Sequence, residues 1–198
     1  MSRWALVPIK SFDRGKSRLS EVLGQAERAE LARGLFEHVV RVLRASPDID
    51  AIAAVSDSAQ ARELAEGLGT LALADAPGSR GLAEVVDGAL EDLKDRGATS
   101  VLICMSDLPE LTVDGVARVV RQLEESDVVL VPDLAQRGTN VIAVKPATAL
   151  PSCLGHEDSL DRHHACACRL GLTVRIQISS TIGFDVDRPS DLDRLRRR

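Results

Sequence analysis

Val101-Leu102-Ile103-Cys104-Met105-Ser106-Asp107-Leu108-Pro109 is an apolar run that stops at an acid and a proline. The run reads as a strand, and a carboxylate at its end is held at a ligand-facing edge. The plain alternative is an aspartate that starts a turn ahead of Pro109. On either side, residues 82–96 and 113–125 carry apolar positions at helical spacing. Working outward, strands are predicted over 4–8, 51–55, 71–74, 101–105, 128–131, 141–144 and 174–178, with further helices over 26–45, 59–68 and 159–170. Pro189 opens the first turn of a last helix, and residues 194–198 make a basic end. In the helix over 26–45, Leu31, Leu35, Val39, Val42 and Leu43 form the expected buried stripe. Strand, helix, strand repetition implies a mostly parallel sheet with helices on both faces, a three-layer Rossmann-like α/β fold. The closely spaced strands around Val131 and Val141 are candidates for an antiparallel pair. Ligands in such sheets gather beyond the carboxyl ends of strands, which directs attention to the loops after Pro8, Ala74, Met105 and Val144.

The chain has 198 residues, within the range of one α/β domain, and no linker or repeat divides it. Its net charge of −5 argues against broad attraction to nucleic acid, and 2% aromatic content supplies no base-stacking platform. No apolar run is long enough to span a bilayer, so no membrane partner is expected. The start, residues 1–10, lacks the regions of a signal peptide. Cys104, Cys153, Cys166 and Cys168 contain no CxxC pair, which suits a reducing cytoplasm.

Directly after the first strand, Lys10, Arg14, Lys16 and Arg18 fall in one loop against the single acid Asp13. That charge profile suits a phosphate pocket, the alternative being a solvated basic loop. Gly15-Lys16-Ser17 imitates the end of a P-loop, but Lys10 stands where its first glycine belongs, so a P-loop is rejected. Gly67-Leu68-Gly69 has dinucleotide-fingerprint spacing but lies between a helix and the following strand, the reverse of the required order, and is read as a helix stop. His163, His164, Cys166 and Cys168 suggest zinc, yet the two pairs point in different directions on a helix, and packing or surface roles are preferred. One of these histidines is left as a substrate contact. Asp185 and Asp187 stand two apart, so in a strand they share a side and converge on one cation. The competing reading is N-capping ahead of Pro189, chiefly by Asp187.

These features together resemble the guanylyltransferases of deazaflavin coenzyme F-420 biosynthesis, the 2-phospho-L-lactate guanylyltransferase family, within the wider fold of molybdenum-cofactor and sugar nucleotidyltransferases. The resemblance runs through Val7-Pro8-Ile9-Lys10, Lys16-Ser17-Arg18-Leu19, Ser106 to Pro109, Gly138-Thr139-Asn140, Ser159 with His163, and Asp185 to Leu192. It departs at Ala83, where the family carries asparagine, and in the Gly155 to Ser159 spacing, one residue longer. It implies transfer of GMP from GTP to a three-carbon phospho-acid: 2-phospho-L-lactate, phosphoenolpyruvate or 3-phospho-D-glycerate. Lys10, Lys16 and Arg18, with Pro8 and Gly81, would hold GTP. Asp107 and the Asp185/Asp187 pair would bind magnesium, and Thr139, Gly155 and Ser159 the acceptor. Lys10, Lys16, Arg18 and Asp107 are the implied catalytic set. A homodimer and a handover to the downstream deazaflavin transferase are the partnerships the resemblance leaves open.

Overall fold

The structure, a computed structural model, describes residues 2–76 and 78–197. Met1, at the start read against a signal peptide, and Arg198, in the expected basic end, lie outside the described residues. Seven strands form one sheet: β1 (Arg3–Pro8), β2 (Ala51–Ser56), β3 (Leu71–Ala74), β4 (Ser100–Cys104), β5 (Val128–Pro132), β6 (Thr139–Val144) and β7 (Val174–Ile176), in the order β3-β2-β1-β4-β6-β5-β7. The helices are α1 (Gln25–Ala45), α2 (Ala59–Gly67), α3 (Leu82–Asp95), α4 (Val113–Glu124), α5 (Ser159–Arg169) and α6 (Pro189–Arg196).

Strand alternation builds two cores. On one face Ala5, Val7, Leu102, Cys104, Val129 and Val131 meet α1, α2 and α4; on the other Leu6, Val101, Ile103, Leu130 and Ile142 meet α3 and α5. The middle of each central strand is therefore apolar, because both its sides are covered. The stripe expected on α1 is shifted. Leu35, Val39 and Leu43 are buried, but Phe36 and Val40 complete the buried face, while Leu31 and Val42 are only partly covered. The helix packs across a broad sheet surface, so its apolar face is wider than a single stripe. Gly69, at φ +71°, ends the turn after α2 with Thr70 N–H bonded to Ala65 O at 3.0 Å, the helix-stop reading.

β1, β2, β3 and β4 run parallel, β5 and β7 pair in parallel, and β6 runs antiparallel to both β4 and β5. The antiparallel expectation around Val131 and Val141 is met. It also corrects one loop assignment: Val144 pairs with Val101, at the start of β4, so the loop after Val144 lies at the opposite edge from the carboxyl end of β4. The beginning of β6, Thr139 and Asn140, reaches the ligand edge instead. Chain order departs in opposite directions from β1 to β2 and from β1 to β4, which makes the carboxyl ends of β1 and β4 the switch-point crevice.

Candidate active site

The basic loop leaves β1 through two short 3-10 turns, Phe12–Arg14 and Ser17–Leu19. Phe12 and Leu19 anchor it. Phe12 packs against Phe36 of α1 with ring centroids 6.5 Å apart, and Leu19 joins Leu35, Phe184 and Val186 in a third apolar cluster. Between these anchors Lys16 adopts a left-handed backbone, φ 54° and ψ 36°, which costs a non-glycine residue roughly 1 kcal/mol. Its side chain crosses into the switch-point crevice, where Nζ donates to Asp107 Oδ2 at 2.5 Å and to Asp187 Oδ1 at 3.1 Å. Burial alone would lower the Lys16 pKa, but the two carboxylates outweigh it and hold the ammonium above its ordinary value.

Asp107 sits in the turn after β4, with Leu108 and Leu111 buried behind it and Thr112 capping α4 through the Gly115 N–H at 3.1 Å. Asp185 and Asp187 lie on an extended segment that is not a sheet strand, a correction to the strand reading. The alternation it relied on still operates, because Phe184 and Val186 turn into the apolar cluster. Val186 N–H bonds Asp107 O at 3.3 Å, tying this segment to the β4 turn. Gly183 permits the tight turn just ahead of this segment, since a Cβ there would lie 2.5 Å from Ser179 O and 3.2 Å from Pro132 O. Asp187 does not cap α6; Asp191 accepts the Arg188 and Asp187 N–H groups at 2.7 and 3.1 Å. Asp187 is thereby left for Lys16 and for Arg18, which donates to it at 3.3 Å.

Asp107, Asp185 and Asp187 bring carboxylate oxygens within 4.8 Å of one another, the one such acidic or His/Cys grouping among the described residues. Burial, then the charges of Asp107 and Asp187, push Asp185 up to about 6, against the pull of an Asn140 hydrogen bond at 3.4 Å. Asn140 also donates to Ile182 O at 3.0 Å, so it fixes this loop to β6. An unmet charge demand among hard oxygen donors suits a divalent cation such as magnesium.

The other expected residues fall around this centre. Pro8 is buried and Lys10 exposed at the end of β1, and Arg14 turns to Asp57 at the end of β2. Gly81 precedes α3; beside it, a Cβ on Gly155 would lie 3.6 Å from the Leu82 Cβ. Thr139 and Ser159 are buried and bonded, Ser159 Oγ to Thr139 Oγ1 at 3.3 Å, with His163 Nδ1 3.2 Å from the same oxygen. His164 and Cys168 are exposed on the other side of α5, so the four zinc candidates do not converge. All four cysteines are free thiols.

The family description "Guanylyl transferase CofC like" matches residues 3–196. The chain belongs to this family. It is 35% identical over 195 residues to a phosphoenolpyruvate guanylyltransferase of Sphaerobacter thermophilus, covering 98% of this chain and 93% of the relative. It is 34% identical to a 2-phospho-L-lactate guanylyltransferase of Methanocorpusculum labreanum, covering 95% of this chain and 80% of that one. As a member of the CofC-like guanylyl transferases it is a nucleotidyltransferase enzyme. Its fold is similar to a structure from Desulfovibrio desulfuricans ascribed to a nucleotide-diphospho-sugar transferase, with TM-score 0.83 at 21% identity over 100% of this chain and 87% of that one. A CMP:2-keto-3-deoxy-manno-octonic acid synthetase gives TM-score 0.68 at 13% identity, covering 100% and 98%. No helix among the described residues is long and apolar enough to cross a membrane.

The sequence located the cations and the acids but not their pairing. Nor did it assign Asn140 or Asp75, whose Oδ1 is buried without a partner at the carboxyl end of β3. Asn140 carries a signal in its place beside Thr139 at a strand start; Asp75 carries none beyond following a strand.

Proposed function

We propose that this enzyme transfers GMP from GTP to the phosphate of phosphoenolpyruvate or a closely related three-carbon phospho-acid, releasing pyrophosphate, as a step in coenzyme F-420 assembly. The observation that carries this is the Lys16, Asp107, Asp187 and Asp185 cluster at the switch point of β1 and β4, in a chain aligned end to end with relatives of that name. A phosphate monoester carries about −1.5 to −2 charges at neutral pH, so its oxygen attacks the α-phosphorus without a general base. The task left to the protein is to bring two polyanions together. Lys10, Lys16 and Arg18 hold the triphosphate, and Pro8 and Gly81 border the nucleotide. Asp107, Asp185 and Asp187 would hold magnesium, which when bound supplies charge stabilisation to the reacting phosphates. Thr139, Ser159 and Gly155 hold the acceptor acid. A concentrated basic loop on an acidic protein serves that one purpose: it offsets repulsion where the two substrates meet.

The test is pyrophosphate release from GTP with magnesium, offering phosphoenolpyruvate, 2-phospho-L-lactate and 3-phospho-D-glycerate separately. The downstream deazaflavin transferase is added to drain the product, which also reads whether product accumulates without that handover. Release with phosphoenolpyruvate is expected. Silence with all three acids, despite GTP binding, overturns the reading in favour of a sugar-phosphate acceptor or a non-catalytic role. Sedimentation of the same preparation checks for a homodimer.

A further inference from the structure

His163 lies outside the acid cluster and the chemistry above does not use it, yet it is fully buried with both ring nitrogens engaged. The Cys153 backbone N–H reaches Nε2 at 2.7 Å, and an amide N–H can only donate. Nε2 therefore carries a lone pair and no proton. Burial holds the ring neutral, pushing its pKa down to about 4, so the single ring proton sits on Nδ1. That N–H faces Thr139 Oγ1 at 3.2 Å, which accepts it, as well as the Ser159 carbonyl one turn back on α5, and the Ser159 hydroxyl donates to Thr139 Oγ1 at 3.3 Å. A hydroxyl oxygen has two acceptor sites and one proton. With both sites taken, Thr139 keeps only its role as a donor, and no acceptor for that proton is found among the described residues.

We propose that His163 is a positioning residue whose fixed tautomer makes the Thr139 hydroxyl a one-way donor to an anionic oxygen of the acceptor acid. This rests on the acceptor role given to Thr139 above. The segment that sets the tautomer is itself pinned: Ser152 N–H bonds Asp87 Oδ1 on α3 at 2.8 Å, and Leu154 N–H bonds Ser152 Oγ at 3.2 Å. A freely rotating hydroxyl binds donors and acceptors alike. A locked one binds only acceptors, and so selects an ionised carboxylate or phosphate over a group presenting its own hydroxyl hydrogen.

Two measurements test it. Nitrogen chemical shifts of labelled histidine in the ligand-free protein should show protonated Nδ1 and bare Nε2 near neutral pH; an Nε2–H tautomer or an imidazolium overturns the assignment. In kinetics, His163→Phe keeps the ring volume and should raise the acceptor KM roughly tenfold to a hundredfold, as for a lost hydrogen bond to a charged group, with the GTP KM changed by less than about twofold. His163→Gln, whose amide both accepts and donates, should restore most of the loss. In a Thr139→Val background His163→Phe should add almost nothing; a full additive effect would mean that His163 does not act through Thr139. If His163→Phe does not fold, the glutamine variant and the nitrogen shifts decide. Wild-type enzyme silent with every acid overturns the functional reading and the hydroxyl's target with it, whereas active enzyme with the wrong tautomer overturns only the His163 assignment.

Discussion

Lys16 reaches Asp107 and Asp187, and Arg18 adds a second cation to Asp187, which leaves Asp185 with the Asn140 amide as its partner. The consequence is a native state that carries an unfavourable charge at neutral pH. Because Asp185 is raised to about 6 in the folded protein, from an ordinary 3.8, the penalty is fully present above pH 6 and is relieved as pH falls towards 3.8. Asp185→Asn should therefore raise the Tm at pH 7 in metal-free buffer, by an amount that shrinks below pH 6, while turnover collapses. An unchanged Tm at pH 7 would count against the charge argument. The magnesium concentration needed for half-maximal rate should climb as pH drops through 6, since proton and cation compete for the same oxygen. Asp107→Asn should keep the fold by circular dichroism and reduce turnover at least about a hundredfold, the scale of lost charge stabilisation in a transition state. Lys16→Ala should weaken GTP binding more than acceptor binding in calorimetry. At this scale the sequence showed the residue types and their positions after strands. It did not show that Lys16 closes onto the acids, because the lysine, Asp107 and Asp187 meet only through the folded crevice.

Between residue and fold, the loop that delivers Lys16 depends on one aromatic contact. Phe12, buried against Phe36 of α1 with Arg33 5.4 Å above its ring, is the loop's fixed point. Phe12→Ala should lower stability by about 3–5 kcal/mol, as for other buried aromatic truncations, and should also weaken GTP binding, because Lys16 loses its platform. Chemical denaturation and calorimetry read the two effects separately, and intact GTP affinity would show that the loop is held elsewhere. The α1 stripe shows why such anchors escape sequence reading. Strict three- and four-residue spacing found Leu35, Val39 and Leu43 but passed over Phe36, whose burial follows from a loop residue packing back onto the helix.

Across the whole molecule two buried titrations oppose each other. His163 is held neutral down to about 4 against an ordinary 6.5, so the unfolded chain takes that proton first and stability falls with pH across the window, by at most about 3 kcal/mol. Asp185 shifts the other way over much of the same range. The wild-type should show a shallow dependence of Tm on pH between about 4 and 6, and His163→Gln should uncover a rise in stability on acidification; a fall in that variant would show that other groups dominate. The sheet was the most legible level, since the middle of each central strand is an apolar run and each crossover carries an amphipathic helix. At the ligand edge the loop after Val144 was misplaced, although the antiparallel pairing of β5 and β6 was expected, because a hairpin and a crossover leave similar apolar runs behind them. That reversed strand makes the edge unequal in its tolerance of new sequence. Beside β1, β3 and β4 every loop at that edge leads into a helix packed on the sheet, so lengthening it moves a layer of core. The return from β5 to β6 enters no helix; Leu134 N–H and Arg137 O tie its sides to Gly183 and Leu160, while its tip at Leu134, Ala135 and Gln136 is exposed. An insertion of small polar residues between Ala135 and Gln136 is expected to leave the Tm nearly unchanged, making this turn the place where a lineage can accumulate length beside its reactive centre without rebuilding the fold.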